Sequence, residues 1–428
     1  MRIGPTYVPD GWRIARLGDI AEVRGGAGFP LERQGRREGD YPFIKVSDMN
    51  TGGNETYIRI ANNYVDQADV SELGAHIFLP GTVVFPKVGA AIATNKKRIL
   101  TVPTIIDNNL MGVTVSDNER CESRFLHKWF SLARLEKLAN VSAVPSITSS
   151  HLKKQTVLLP PIREQRAIAE VLSSVDRTIE RTDEAIAAAE RLRDALLHEL
   201  LTRGLPGQHS EWKEVPGLGT IPVSWKAVRL GDVVDINRDS WLPGDEEEII
   251  YYLDLTAVFA PGSIAEPREI VSAEAPSRAR RRVHSGDTLV STVRPNLRGF
   301  ARITRAINNL IASTGFAVLS PRQSTISSYV YHHVMTSCFA AYLENATTGQ
   351  AYPAVRPADV AAYKFGLPPL PEQRAIAAVL DGVDANIKQA REERVVLSAT
   401  ATSIADALIT GRVRVDQQEE RPGPTRRG

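Results

Sequence analysis

The chain has 428 residues, 43% apolar and 24% charged, with 52 Lys and Arg against 50 Asp and Glu. That length exceeds what one hydrophobic core usually organises, and no run approaches the roughly 20 apolar residues of a membrane-spanning helix. A net charge of +2 permits nucleic-acid binding without requiring it, and two cysteines, Cys121 and Cys338, are too few for a disulfide framework and are expected as buried thiols.

In chain order, residues 1–159 read as a first mixed unit. Pro5, Pro9, Asp10 and Gly11 interrupt any apolar leader, so the chain is expected to stay in the cytoplasm. Short runs rich in Val, Ile, Tyr and Thr, at 41–46 and 82–85, are separated by Gly, Pro and Asn turns and read as strands. Residues 160–204 change period: Ile168, Leu172, Val175, Ile179, Thr182, Ile186, Ala189, Arg193, Leu196 and Leu200 alternate spacings of four and three, which is a heptad seam. Residues 205–221 carry the Pro and Gly density of a linker. Strand-like runs return at 249–255 and 288–292 within a second mixed unit, 222–367. A second seam follows in 368–411, through Ile376, Leu380, Val383, Ile387, Ala390, Arg394, Leu397, Ala401, Ile404 and Leu408, and 412–428 reads as a disordered tail. Pro161 and Pro371 open the helices, Glu164 and Glu372 sit in first turns that favour negative charge, and Gly204 and Gly411 close them. Each helix should be about 40 residues, roughly 60 Å, long. A narrow stripe leaves apolar side chains in water, so the two stripes are expected to cover each other; the plainer alternative packs each helix on its own unit.

The two halves repeat one another. PPIREQRAIAEVL, residues 160–172, returns as PPLPEQRAIAAVL, residues 368–380, and Pro9, Trp12, Leu17, Gly18 and Asp19 recur as Pro222, Trp225, Leu230, Gly231 and Asp232. Between these anchors the halves diverge: GTVVFPKVG at 81–89 faces GDTLVSTVR at 286–294. The expected fold class is therefore α+β, with two target-facing globular units of one fold, two different surfaces, and two long antiparallel coiled-coil helices between them, in a pseudo-twofold internal repeat.

Catalytic signatures do not assemble. There is no phosphate loop, dinucleotide fingerprint or HExxH, and the glycines of residues 25–28 read as a turn. His332 and His333, adjacent and so pointing apart, read as structural, and Glu211-Trp212-Lys213 has no partner acid nearby. The basic residues are more suggestive. From Arg278 to Arg305 eight arginines, among them Arg280, Arg281, Arg294 and Arg298, accompany a single acid, Asp287. Lys87, Lys96, Lys97 and Arg98 lie at the matching place in the first half. Backbone phosphates are the expected partner of such charge. Arg294, Asn296 and Arg298, with Lys45 and Asn95 in the first half, can address base edges, while Gln350, Tyr352 and Arg356 sit on a turn-rich loop before the second helix.

The succession PxGW, RLGD, DYPFIKVSDM, GTVVF, LPPIREQRAIAEVLSSVD and LLTRG, repeated once and closing with ALITG, resembles the specificity subunit of prokaryotic Type I restriction-modification systems over nearly the whole chain. The resemblance implies a non-catalytic subunit whose two target-recognition domains each read half of a split, asymmetric sequence in double-stranded DNA. It also implies docking of two methyltransferase subunits and, through them, of restriction subunits. Glu164, Gln165 and Arg166, with Glu372, Gln373 and Arg374, would contact those partners. S-adenosylmethionine, ATP and magnesium would be held by the partners, and none by this chain. A coiled-coil adaptor without DNA binding and a self-contained DNA-modifying enzyme are the alternatives.

Overall fold

The structure is a computed structural model and describes residues 8–140, 143–242, 248–347 and 353–415. It divides into two compact units, one holding the described residues up to Thr182 and again from Glu393, the other Asp183–Glu392. Both long helices form, Ile162–Arg203 and Leu370–Ile409, and the division cuts each near its middle. Each unit therefore owns the first half of one helix and the second half of the other.

In the first unit Ala21–Gly25, Leu110–Val115, Val83–Pro86, Arg98–Leu100 and Tyr57–Ile58 make a five-stranded sheet in that order. Val83, Val84 and Phe85 are all buried, which is why this strand reads as an unbroken apolar run and sits centrally. Tyr41–Ile44 runs parallel to Ile105–Ile106 in a smaller sheet, and Arg13–Arg16 pairs with Thr156–Leu159, the strand that feeds the first long helix. The second unit repeats the scheme. Val234–Ile236, Phe316–Pro321, Thr288–Ser291 and Phe300–Arg302 lie in order, Ile249–Leu253 runs parallel to Leu310–Ser313, and Lys226–Arg229 pairs with Lys364–Leu367. The fold class is α+β, twice over.

The repeated LGD has a packing cause. A Cβ on Gly18 would lie 3.0 Å from the Cβ of Lys153, and one on Gly231 3.0 Å from the Cβ of Ala361. Glycine lets the short helices Leu17–Ile20 and Leu230–Val233 settle on Ser149–Lys153 and Pro357–Ala361 without displacing these neighbours.

The helix halves pack on each other within each unit. Ile168, Ala169 and Leu172 share the first core with Leu408 and Ile409; Leu197, Leu200 and Leu201 share the second with Ile376 and Leu380. In the second unit Arg391 pairs with Glu190 and Arg193 with Asp384, so one sequence number rises as the other falls and the halves run antiparallel. Every seam residue is buried or half-buried except Ile404. Arg193 occupies a seam position because the facing helix supplies Asp384. The helices also enter their globular cores, so the plainer alternative describes part of the packing as well.

Three expectations need correction. Residues 205–221 do not lie outside the packed units: Trp212–Val215 and Gly219–Pro222 form an antiparallel hairpin, Ile221 is buried in the second core, and Leu205 and Leu218 pack against it. Their Gly and Pro make turns rather than a tether. Lys213, from the Glu211-Trp212-Lys213 triplet, donates to the carbonyls of Val223 and Trp225 and is structural. Residues 412–415 are packed rather than disordered, because Arg414 grips Glu164 and the Asp10 carbonyl; residues 416–428 of the expected tail lie outside the described residues. Cys121 is buried, and burial pushes its thiol up to about 12, whereas Cys338 is exposed.

Candidate nucleic-acid interface

In each unit the central strand ends in a short 3-10 turn, and that turn is stitched to the loop preceding the long helix. In the first unit the Ile147 amide donates to the Lys87 carbonyl at 2.8 Å and the Gly89 amide to the Pro145 carbonyl at 2.9 Å, ahead of the turn Gly89–Thr94. In the second, the Val355 amide donates to the Thr292 carbonyl at 2.9 Å and the Arg294 amide to the Pro353 carbonyl at 2.8 Å, ahead of Pro295–Leu297. Both turns close on a left-handed residue, Asn95 at φ 54° and Arg298 at φ 51°. One backbone device thus presents two different surfaces.

The basic residues divide into those the fold consumes and those it leaves outward. Lys97 is buried and its Nζ donates to the Ala133 carbonyl at 2.7 Å; burial holds its ammonium down at about 8. Arg98 turns inward to the carbonyls of Lys97 and Met49, and burial lowers it as well. The Asn95 side chain accepts from the Leu135 amide, and the Arg298 guanidinium donates to the Met335 carbonyl. Of these four, expected as DNA contacts, Lys97 is buried and structural, while half-buried Asn95, Arg98 and Arg298 each hold an internal bond that braces a turn. Which basic side chains turn inward is set by carbonyls distant in sequence, so proximity along the chain does not reveal it.

Lys45 is half-buried with its Nζ on Gln34, Lys87 is half-buried, and Lys96 bonds Asn50. Arg280 is half-buried and donates to the Ala279 carbonyl, and Arg281 is half-buried on the same edge strand, Ala279–Arg282. Arg294 and Asn296 are exposed. Arg356 is exposed and pairs with Asp359 at the start of its helix. Gln350 and Tyr352 lie outside the described residues. Asp287, the one acid between Arg278 and Arg305, is buried, and that burial raises its carboxyl.

Four of the six residues expected at partner contacts are internal. The Gln165 amide, fully buried, donates to the carbonyls of Pro160 and Arg120 and accepts from the Glu122 amide; Gln373 does the same with Pro368, Ser324 and the Ile326 amide. Glu164 accepts from the Trp12 indole at 2.9 Å and from Arg414; Glu372 accepts from the Trp225 indole at 3.0 Å and from His209 at 2.6 Å. The repeated Glu-Gln therefore anchors each helix to its own unit, because a carboxylate and an amide satisfy buried donors and acceptors that water cannot reach. Arg166 and Arg374, next in sequence, stay exposed. Sequence reasoning found the repeated Trp and Glu separately and missed that they meet.

It also missed a polar joint. Asp381 on the second long helix accepts from His332 and Ser328 and pairs with Arg302. Although burial opposes it, these partners hold its carboxyl well below the usual range. Lys128 and Asp176 form the corresponding joint in the first unit. His333 packs against Tyr329 and Phe365 as a structural residue.

The glycines of residues 25–28, expected as a turn, extend the sheet instead: Gly25 ends the strand Ala21–Gly25, Ala27 bridges Asp107 in parallel, and Gly26 is the close-packed one. A Cβ on Gly26 would fall 2.1 Å from the Ile106 carbonyl oxygen. Gly26→Ala should therefore force the backbone apart and cost about 2–4 kcal/mol in urea unfolding; a cost under 0.5 kcal/mol would mean that Gly26 does not pack on the Ile106–Asp107 backbone.

Comparison with known families agrees with this architecture. The profile of the type I restriction modification DNA specificity domain matches residues 9–191 and again 222–396. The chain belongs to that family. This specificity subunit is 23% identical over 416 residues to the MjaVIII specificity subunit of Methanocaldococcus jannaschii, covering 95% of this chain and 94% of that one. Its fold matches the type I S subunit from M. genitalium, with a TM-score of 0.56 at 14% identity over 97% and 99% of the two chains. A chain from a structure of type I system assembly and conformational transition matches with a TM-score of 0.58 at 21% identity, over 96% and 100%. Among the described residues of the specificity subunit, no group of His, Cys, Asp and Glu is placed to hold a metal, and no helix is long and apolar enough to cross a membrane.

Proposed function

We propose that this subunit directs a type I restriction-modification complex to a bipartite, asymmetric DNA sequence, each unit reading one half, and contributes no catalysis itself. The observation that carries the reading is the pair of equivalent turns. One backbone arrangement displays Gly, Ala and Thr in the first unit and Arg294, Asn296 and Leu297 in the second, as two readers of different sequences require. Exposed Arg294 and Asn296 have the donors and acceptors for purine edges, and Lys45, Lys87, Lys96, Arg280, Arg281 and Arg356 are the outward or half-buried groups left for bases or phosphates. Exposed Arg166 and Arg374 stand at equivalent first turns and are suited to contact two methyltransferase subunits, which would carry S-adenosylmethionine, with ATP and magnesium used by the restriction subunits.

The decisive experiment exchanges residues 8–159 for those of a relative with a known target and maps methylated adenines genome-wide. One half of the recognised sequence should change. Changes in both halves, or in neither, would overturn the modular reading. Binding of the assembled complex to its target should fall steeply with salt, as phosphate neutralisation demands; a flat salt response would favour an adaptor without DNA contacts.

A further inference from the structure

The second reading turn displays more than cations. Leu297, at its tip, is 64% exposed, and Phe259, on the hairpin formed by Val258–Ala260 and Ser263–Ile264, is 70% exposed. That hairpin leans on the base of the turn: the Gly262 amide donates to the Phe300 carbonyl at 2.8 Å, and the Val258 carbonyl lies 3.9 Å from where a Gly299 Cβ would stand. The turn itself is rigid. Arg294 and Arg298 hold left-handed backbone at its two ends, Pro295 is buried, and the Leu297 amide bonds the Arg294 carbonyl at 2.9 Å. Strained non-glycine residues persist only where the surroundings over-determine them. Large apolar side chains held out in water on such a support gain nothing for the fold.

The surroundings identify the occupant. Arg294 and Asn296, in the same turn as Leu297, are exposed, and the one acid between Arg278 and Arg305 is buried. An apolar tip flanked by an exposed arginine and an exposed asparagine suits duplex DNA, where a phosphate meets the arginine and the apolar side chain reaches the base stack. The first unit offers no counterpart on its turn, because Ile92 is buried there.

We propose that Leu297, with Phe259 exposed on the hairpin bonded to the base of its turn, inserts against a base step in the half-site read by the second unit and partly unstacks it. This rests on the DNA-reading function proposed above. The test uses the full chain assembled with its methyltransferase subunits, on target duplexes carrying 2-aminopurine at successive steps of that half-site, away from the methylated adenine. Fluorescence should rise at one step on binding. Leu297→Ala combined with Phe259→Ser should abolish that rise and weaken binding roughly tenfold, with thermal unfolding unchanged because both side chains are exposed. No rise at any step with the unaltered chain, or a rise that survives the double substitution, overturns the wedge. Arg294→Ala separates the two claims: if it weakens binding while the double variant does not, the turn reads DNA without a wedge. If neither variant changes binding, the turn is not the reader. Loss of methyltransferase co-purification in the double variant, with fluorescence intact, would make these residues a protein contact and overturn the proposal.

Discussion

Glu164→Ala should lower stability by about 3 kcal/mol, and Glu372→Ala by a similar amount. Glu164 is 1% exposed, and its two oxygens receive the Trp12 indole and the Arg414 guanidinium. Removing the carboxylate leaves a buried indole N–H unpaired and the carboxylate's own volume empty, and losing one member of a buried polar pair commonly costs 3–5 kcal/mol. Arg414 is partly exposed, also lies over the Trp12 ring at 5.6 Å, and can rehydrate, which places the expected loss at the lower end. Glu164→Gln keeps an acceptor for the indole and should cost about half as much. Urea unfolding of the three chains checks this. Equal and small losses from both substitutions would mean that the anchor contributes little beyond packing.

Acidification should destabilise both units before their carboxylates titrate. Burial holds the imidazole of His127 neutral, with its protonation pushed down to about 3, and does the same to His333, where the neighbouring His332 adds to the effect. An unfolded histidine titrates near 6.5. Between about 6.5 and 3 the unfolded chain therefore binds more protons than the folded one, so stability rises with pH through that window and is fully present above it. Each histidine should contribute a slope of about 1.4 kcal/mol per pH unit, or roughly 2 kcal/mol lost between pH 6.5 and 5. His333→Phe, which preserves the aromatic packing on Tyr329 and Phe365, should remove about half of the slope. Denaturant unfolding at pH 7 and pH 5 reads it directly, and an unchanged slope would mean that His333 titrates normally.

The parts of this protein that were legible in the sequence are those where physics acts over short spans. The helix seams from Ile168 to Leu200 and from Ile376 to Leu408 follow from periodicity. The strands at Val83–Pro86 and Thr288–Ser291 follow from short runs rich in β-branched and apolar residues, and the duplication from the doubled EQRAIA. The hairpin at Trp212–Pro222 was not legible, because the Gly and Pro that make its turns also make linkers, and only the burial of Ile221 distinguishes the two.

The candidate site was legible as a region and illegible as a list. A cluster of basic residues after the central strand can be seen in one dimension. Whether Lys97, Arg98 and Arg298 face water or a carbonyl depends on Ala133, Met49 and Met335, which lie 36, 49 and 37 residues away. The Glu-Gln pair shows the same limit from the other side, since exposed contact and buried anchor are written with the same letters and differ only in whether Trp12 or Trp225 arrives to pair with them.

By itself, then, the amino-acid order determined that there are two similar units and two long amphipathic helices, because repetition and helical period are local properties that solvent exclusion enforces turn by turn. Only the tertiary structure decided which polar groups brace the protein and which are left for a partner, because a hydrogen bond across a hundred residues exists only once the chain has closed on itself.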